Sequence, residues 1–131
     1  MFTNGCFDLL HVGHIRLFRK ARSLGDALIV AINADASLKR LKGPKRPLVA
    51  QGARAEVLAA LSDIDYVVVF KEDTPAEIIA DIKPDILVKG GDYRLDEIVR
   101  RDDVRKVVRF NFVAGQSTTG LIEKIVKRYG K

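Results

Sequence analysis

The sequence predicts an α/β fold built on a doubly wound, parallel, five-stranded sheet with helices on both faces. Three observations carry that expectation. Helical and strand patterns alternate about five times at short spacing, without internal repeats or low-complexity stretches. The strand patterns are continuous apolar runs, as strands buried on both faces require. Parallel strands need crossover connections, and the intervening segments carry helical periodicity. With 131 residues, 47% hydrophobic and 31% charged, the chain has the length and composition of one globular domain.

Each element has its own signal. Phe2 and Thr3 form the tail of a first strand. From Val12 to Leu24, Ile15, Phe18, Ala21 and Leu24 recur at helical spacing, and Gly25 supplies a stop. Ala27 to Asn33 is the second strand. Residues 34–42 read as a short helix and Gly43 to Pro47 as a loop. Arg54 to Leu61 is helical, with Val57, Leu58 and Leu61 facing inward. Asp65 to Phe70 is a β-branched strand. Asp73-Thr74-Pro75 opens a helix with a cap and a proline in its first turn. Ile78, Ile79 and Ile82 form its buried stripe, and Pro84 ends it. Asp85 to Lys89 and Val107 to Phe112 are the last two strands. Ser117 caps a final helix whose Leu121, Ile122, Ile125 and Val126 face inward.

Composition excludes several classes. The longest wholly apolar run, Ala27 to Ile32, is far short of the ~20 residues a membrane span needs, and no signal-peptide pattern opens the sequence. The single cysteine, Cys6, cannot pair within the chain, so a cytoplasmic protein is expected, with no membrane partner. The formal charge is +6, and nine basic against three acidic residues fall between Arg100 and Lys131. A second cluster, Lys39, Arg40, Lys42, Lys45 and Arg46, contains no acid. Basic clusters attract phosphate, in nucleic acid or in a small nucleotide, when they are more than a solvated surface. Aromatics amount to 7%, mostly at apparent core positions, which argues against a nucleic-acid partner.

Open parallel sheets bind ligands beyond the carboxyl ends of their strands, and the unusual residues fall there. The chain's two histidines, His11 and His14, lie three apart after the first strand, in TNGCFDLLHVGH. At a helix start such residues project to one side. Gly13 admits close approach, and the helix end adds free N–H groups and a positive dipole. The result is a donor-rich anion pocket. A zinc site would need a third ligand, which is not evident, so no protein-held metal is expected. Cys6 reads as a small residue in a tight loop or, alternatively, as a reactive thiol. After the second strand, Lys39 and Lys42 suit a phosphate clamp or a solvated helix face. After the fourth, Gly90-Gly91 permits backbone approach and Asp92 can accept ribose hydroxyls, or the pair is a plain turn. Ser117-Thr118-Thr119 at the last helix start is an anion site or an ordinary cap.

The segment GCFDLLHVGH resembles the signature of the cytidylyltransferase-like nucleotidyltransferases, whose HxGH motif binds a nucleotide triphosphate. The resemblance implies a Rossmann-like sheet, with His11 and His14 touching the phosphates and stabilising the α-phosphate in the transition state. ADASLKRLKG and PDILVKGGDY are similar to the heptose-1-phosphate adenylyltransferase branch, and GQSTTGLIEKI resembles the family's C-terminal Ser-Thr-Thr motif. By that likeness Lys42 is the transition-state cation, with Lys39 second. Asn4, Gly5, Cys6, Phe7, Gly13, Lys89, Gly91, Asp92, Ser117, Thr118 and Thr119 bind the nucleotide. Asp8, Lys39 and Arg54 face the acceptor, Arg54 as a sugar-phosphate or structural arginine. The likeness runs from Phe2 to about Tyr129 and implies one nucleotidyltransferase domain over 1–131; small members of this family commonly pair as homodimers.

The implied reaction moves AMP from ATP, with Mg2+ on the triphosphate, to a small phosphorylated acceptor such as heptose 1-phosphate. A phosphate monoester is already ionised near neutral pH, its second pKa being about 6, so no catalytic base is required. Two rivals remain. One keeps the fold and changes the acceptor, to FMN as in FAD synthases or to glycerol 3-phosphate with CTP. The other is a non-catalytic nucleotide- or nucleic-acid-binding module.

Overall fold

The computed structural model describes residues 1–90, 98, 100–111 and 117–130. The chain runs β1 (Phe2–Gly5), α1 (Val12–Arg22), β2 (Ile29–Asn33), α2 (Asp35–Lys42), α3 (Gln51–Ala59), β3 (Tyr66–Phe70), α4 (Ala76–Ile82), β4 (Ile86–Gly90), β5 (Lys106–Phe110) and α5 (Thr118–Tyr129), with a 3-10 turn at Arg101–Asp103 before β5. The five strands form one sheet in the order β3-β2-β1-β4-β5, and every pairing is parallel. The fold class expected from the apolar runs is the one observed.

Strand periodicity divides the core into two layers. From β2, Val30 and Ile32 join Leu17, Phe18 and Ala21 of α1 and Leu58 of α3 on one face. Ala31 points the other way, to Phe2, Phe70, Leu87 and Ile79 of α4. Both faces are covered, which is why β2 carries no polar residue before Asn33.

The winding places the site. β1 pairs β2 through four residue pairs but β4 through one, Phe2 with Leu87. The chain winds outward from β1 on one side and continues from β4 on the other, so the carboxyl ends of β1 and β4 flank the switch point. Lys89 Nζ crosses it and donates to Asn4 Oδ1 at 2.8 Å.

Four local expectations change. Helix α3 begins at Gln51 rather than Arg54, its Asp35-side contact made by Gln51 Oε1, which accepts the Asp35 N–H at 2.9 Å. Helix α4 has Pro75 itself in the capping position rather than in the first turn; Thr74 Oγ1 accepts the Ala76 N–H at 3.4 Å, and Asp73 pairs with Arg40 at 2.8 Å. Val57 is exposed although Leu58 beside it is buried. The largest difference is α5. Its apolar stripe was expected inward, yet the helix contains no buried residue, and Leu121, Ile125 and Val126 are exposed. Amphipathic spacing shows that a helix has an apolar face; it does not show that a neighbour covers it.

Candidate active site

A cavity of about 490 Å³ opens at the switch point, a size that suits a small-molecule ligand. Its floor is the β1–α1 connection, with Asn4, Gly5, Cys6, Phe7, Asp8 and His14. One wall is Leu41, Lys42 and Arg46 from the end of α2 and the loop after it. The facing elements give Lys89 and Gly90 from β4 and Ser117, Thr118 and Thr119 from the start of α5.

The histidines are built into the helix start. His11 is the N-cap of α1, and its Nδ1 accepts the Gly13 N–H at 3.1 Å. His14 Nδ1 accepts the His11 N–H at 3.2 Å, closing a reciprocal capping box with imidazoles in place of the usual hydroxyl and carboxyl groups. The rings lie 3.9 Å apart. With both Nδ1 atoms accepting, each neutral ring carries its proton on Nε2. Burial, and then the neighbouring His11, push the His14 pKa down to about 4; burial lowers His11 too. Near neutral pH these side chains are therefore neutral hydrogen-bond donors, as a donor-rich anion pocket requires. His14 lines the cavity, and His11, outside that lining, donates its backbone N–H to His14 Nδ1.

Phe7 packs against His14 from within the core. Its backbone is left-handed, with φ at 46°, and its ring turns inward against Gly5, His14 and Phe18. A Cβ at Gly5 would sit 2.9 Å from the Phe7 ring, so glycine is required there by the ring itself. The Phe7 ring holds His14 edge-on at 5.3 Å. Burial pushes the Cys6 thiol up, against the opposing pull of Lys42, Arg46 and Arg54, which leaves a protonated small residue rather than a reactive thiolate.

Asp8 and Arg54, both read from the resemblance as facing the acceptor, are engaged by protein groups. The Asp8 carboxylate is buried and accepts from the Leu48 and Val49 N–H groups and from Arg46 Nε, at 2.8–3.0 Å. Burial alone would raise its pKa, but these donors outweigh that and hold it below the usual carboxylate value. Arg54 is 1% exposed. Its nitrogens donate to Val49 O, Cys6 O and Asp35 Oδ1, at 2.9, 2.8 and 2.8 Å. Together Asp8 and Arg54 stitch the 43–50 segment to the β1–α1 connection. Arg54 thus takes the structural of its two readings.

The basic cluster divides. Lys42 and Arg46 line the cavity, whereas Arg40 is drawn off to Asp73 and to Lys71 O, and exposed Lys39 lies outside the lining. Arg46 was not singled out from the sequence; the signal lay in its place in an acid-free cluster. Burial lowers the Lys89 ammonium to a pKa of about 8. Ser117 caps α5 through Gly120 N–H, and Thr118 Oγ1 donates to Leu9 O at 2.8 Å, bringing that helix end to the floor. Gly13 is buried in the first turn of α1. Gly91 and Asp92 lie outside the described residues.

The arrangement is anion-directed: neutral imidazole N–H groups, lysine and arginine cations, hydroxyls and two helix N-termini around one cavity. The one carboxylate on its described lining, Asp8, is saturated by protein donors. Among the described lining residues no carboxylate is thus left to hold a divalent cation.

Comparison with known proteins agrees. The cytidylyltransferase-like family model matches residues 2–129. The chain is 58% identical, over its whole length, to the bifunctional protein HldE of Geobacter sulfurreducens, and 55% identical over 95% of its length to that of Nitratiruptor. It spans 28% and 27% of those relatives. Among solved structures, the lipopolysaccharide core biosynthesis protein of Thermoplasma volcanium superposes with a TM-score of 0.74 at 27% identity, covering 86% of this chain and 95% of that one. A macrolide-efflux protein of Streptococcus pneumoniae shares the fold, with a TM-score of 0.68 at 21% identity over 96% of this chain and 52% of that one. The cavity built around His14, and a family match spanning nearly every residue, lead to one assignment: the chain belongs to the cytidylyltransferase-like family and carries its nucleotidyltransferase domain.

Proposed function

We propose that the domain transfers AMP from Mg2+-ATP to the phosphate of a sugar 1-phosphate of the heptose type, releasing pyrophosphate. The observation that carries this reading is the cavity itself, a phosphate-directed site at the switch point without a serine, cysteine or carboxylate nucleophile paired to a base among its described lining residues. An ionised monoester oxygen of the acceptor attacks the α-phosphorus. The bond from that phosphorus to the bridging oxygen breaks, and pyrophosphate leaves with the electron pair. No protein group gains or loses a proton. Catalysis then consists of positioning and of donors directed at charge that grows on the phosphoryl oxygens. His14 offers Nε2–H, Lys42 and Lys89 offer ammonium groups, and the α1 and α5 termini offer their dipoles. The heptose-type acceptor is supported by the likeness of ADASLKRLKG and PDILVKGGDY to that branch, and the Thermoplasma neighbour, a lipopolysaccharide core biosynthesis protein, accords with it; a cytoplasmic setting, where ATP is made, accompanies it.

The test is a pyrophosphate-release screen of ATP and CTP against heptose 1-phosphate, FMN and glycerol 3-phosphate. The heptose phosphate with ATP should give the highest kcat/KM. Salt-sensitive RNA binding without pyrophosphate release from any pair would replace the reading with the non-catalytic one. His14→Ala should fold yet turn over at least roughly 100-fold more slowly, the cost of losing one oxyanion-type donor. Near-normal turnover would remove the imidazoles from the chemistry.

A further inference from the structure

We infer that Arg46 is a phosphate-binding residue of this cavity and that Asp8 is its positioning residue. The inference rests on the reading of the cavity as a phosphate site, and it adds a ligand contact that the motifs do not contain.

The geometry is asymmetric. A guanidinium has five N–H donors arranged in a planar fork. Asp8 takes one of them, Nε, at 2.8 Å. The remaining donors, on the two terminal nitrogens, make no hydrogen bond among the described residues, and Arg46 lines the cavity. That leaves the edge of the fork which binds two phosphate oxygens side by side. Arg54, eight positions on, shows the contrast: each of its nitrogens is engaged by protein oxygen, and its side chain is wholly buried.

The pairing also fixes direction. The Asp8 side chain is fully buried while the Arg46 side chain keeps 19% of its surface accessible. The Leu48 and Val49 N–H groups hold both Asp8 oxygens, so the carboxylate has anchors besides Arg46. Asp8 lies on the connection that leads into α1, whose first turn carries His14, and so links the position of Arg46 to that of the imidazole donor. Lys42, on the same wall, has a compact ammonium on a flexible stem and cannot offer a fork.

The ligand chemistry is a phosphate with two free oxygens. Its source is either the triphosphate of ATP or the monoester of the acceptor, and separate titrations distinguish them. Arg46→Gln, Arg46→Lys and Asp8→Asn are compared with the parent chain. Calorimetry gives Kd for Mg2+-ATP and for inorganic phosphate as the monoester probe, with the thermal midpoint of each unliganded protein recorded alongside. Arg46→Gln should weaken one of the two ligands about 10- to 100-fold, the range for a lost charge-assisted hydrogen bond. Arg46→Lys should restore only part of that loss. Asp8→Asn should weaken the same ligand by less, and should add nothing in the Arg46→Gln background, as expected of a residue acting through the arginine.

Loss confined to ATP assigns the triphosphate; loss confined to inorganic phosphate assigns the monoester. Both ligands within twofold of the parent chain in Arg46→Gln would overturn the inference. So would a lowered thermal midpoint with both affinities intact, which would mark Arg46 as a loop tether. Should Arg46→Gln fail to fold, Arg46→Lys carries the same comparison. Because binding is read directly, a chain that releases no pyrophosphate from any substrate pair yet loses phosphate affinity in Arg46→Gln would sink the proposed reaction and keep this assignment.

Discussion

Two helix starts meet at the cavity, and they are held in opposite ways. Both α1 and α5 are capped by their own side chains, and neither has an acidic residue in its first turn. The start of α1 is sunk into the core, with His14 against Phe7 and Phe18 and five buried residues along the helix. Its connection to β1 is stitched to the 43–50 segment by Asp8 and Arg54. Helix α5 has no buried residue, and Thr118 Oγ1 to Leu9 O ties its first turn to that floor. The proposed transfer, in which a long polyanion enters and pyrophosphate leaves, would benefit from this division. In that reaction the donors on α1 would stay fixed, while the α5 wall, which buries no residue, would adjust at lower cost.

The stitched side should be the more costly to break. Arg54→Met removes a buried guanidinium and leaves two carbonyl groups, Cys6 O and Val49 O, without their donor. Asp35 keeps 34% of its side-chain surface in water, which softens the loss. The expected destabilisation is about 3 kcal/mol, the low end for breaking a buried pair. Chemical denaturation measures it. A change below about 1 kcal/mol would mean that the segment is held by its apolar contacts instead, and the distinction between the two walls would weaken.

How far the sequence carried this picture depends on the range of the interaction. The βα order, both core layers and the HxGH start of α1 were legible, because apolar period and a capped glycine-bearing turn are local signals. The Asp8 contacts join residues 38 to 41 positions apart, and Arg54 reaches 48 positions back to Cys6 O. A single arginine looks the same in a sequence whether water or three oxygens surround it, so Arg54 and Arg46 could not be told apart there. The apolar stripe of α5 misled for the same reason: Val126, 61% exposed, has the spacing of a core residue without a described neighbour to cover it.

The α1 start should also respond to protons where the α5 start does not, since Ser117 has no titrating group. The His14 pKa is about 4 in the folded chain against an ordinary 6.5, and His11 is lowered in the same direction. Between those values the unfolded chain binds more protons than the folded one. Acidification therefore favours unfolding: stability falls as pH drops from about 6.5 to about 4, then this contribution levels off. Asp8, lowered below 3.8, adds its loss only at still lower pH. Urea midpoints across this range should slope in the parent chain and slope less in His14→Gln. Equal slopes would show that the imidazole is not held neutral by burial.

The smallest effect belongs to the looser wall. Thr118→Val keeps the shape of the side chain and deletes the O–H that reaches Leu9 O. A neutral hydrogen bond contributes about 1 kcal/mol, or about fivefold in an equilibrium. Because α5 buries no residue, that loss should appear mainly where the helix must be in place, as a KM for ATP raised about fivefold, and Thr118→Ser should restore it. The unfolding midpoint should shift by no more than a few degrees. The opposite pattern, a large drop in stability with KM unchanged, would show that α5 is bound into the fold as firmly as α1, and that the Thr118 hydrogen bond is not what holds it at the cavity.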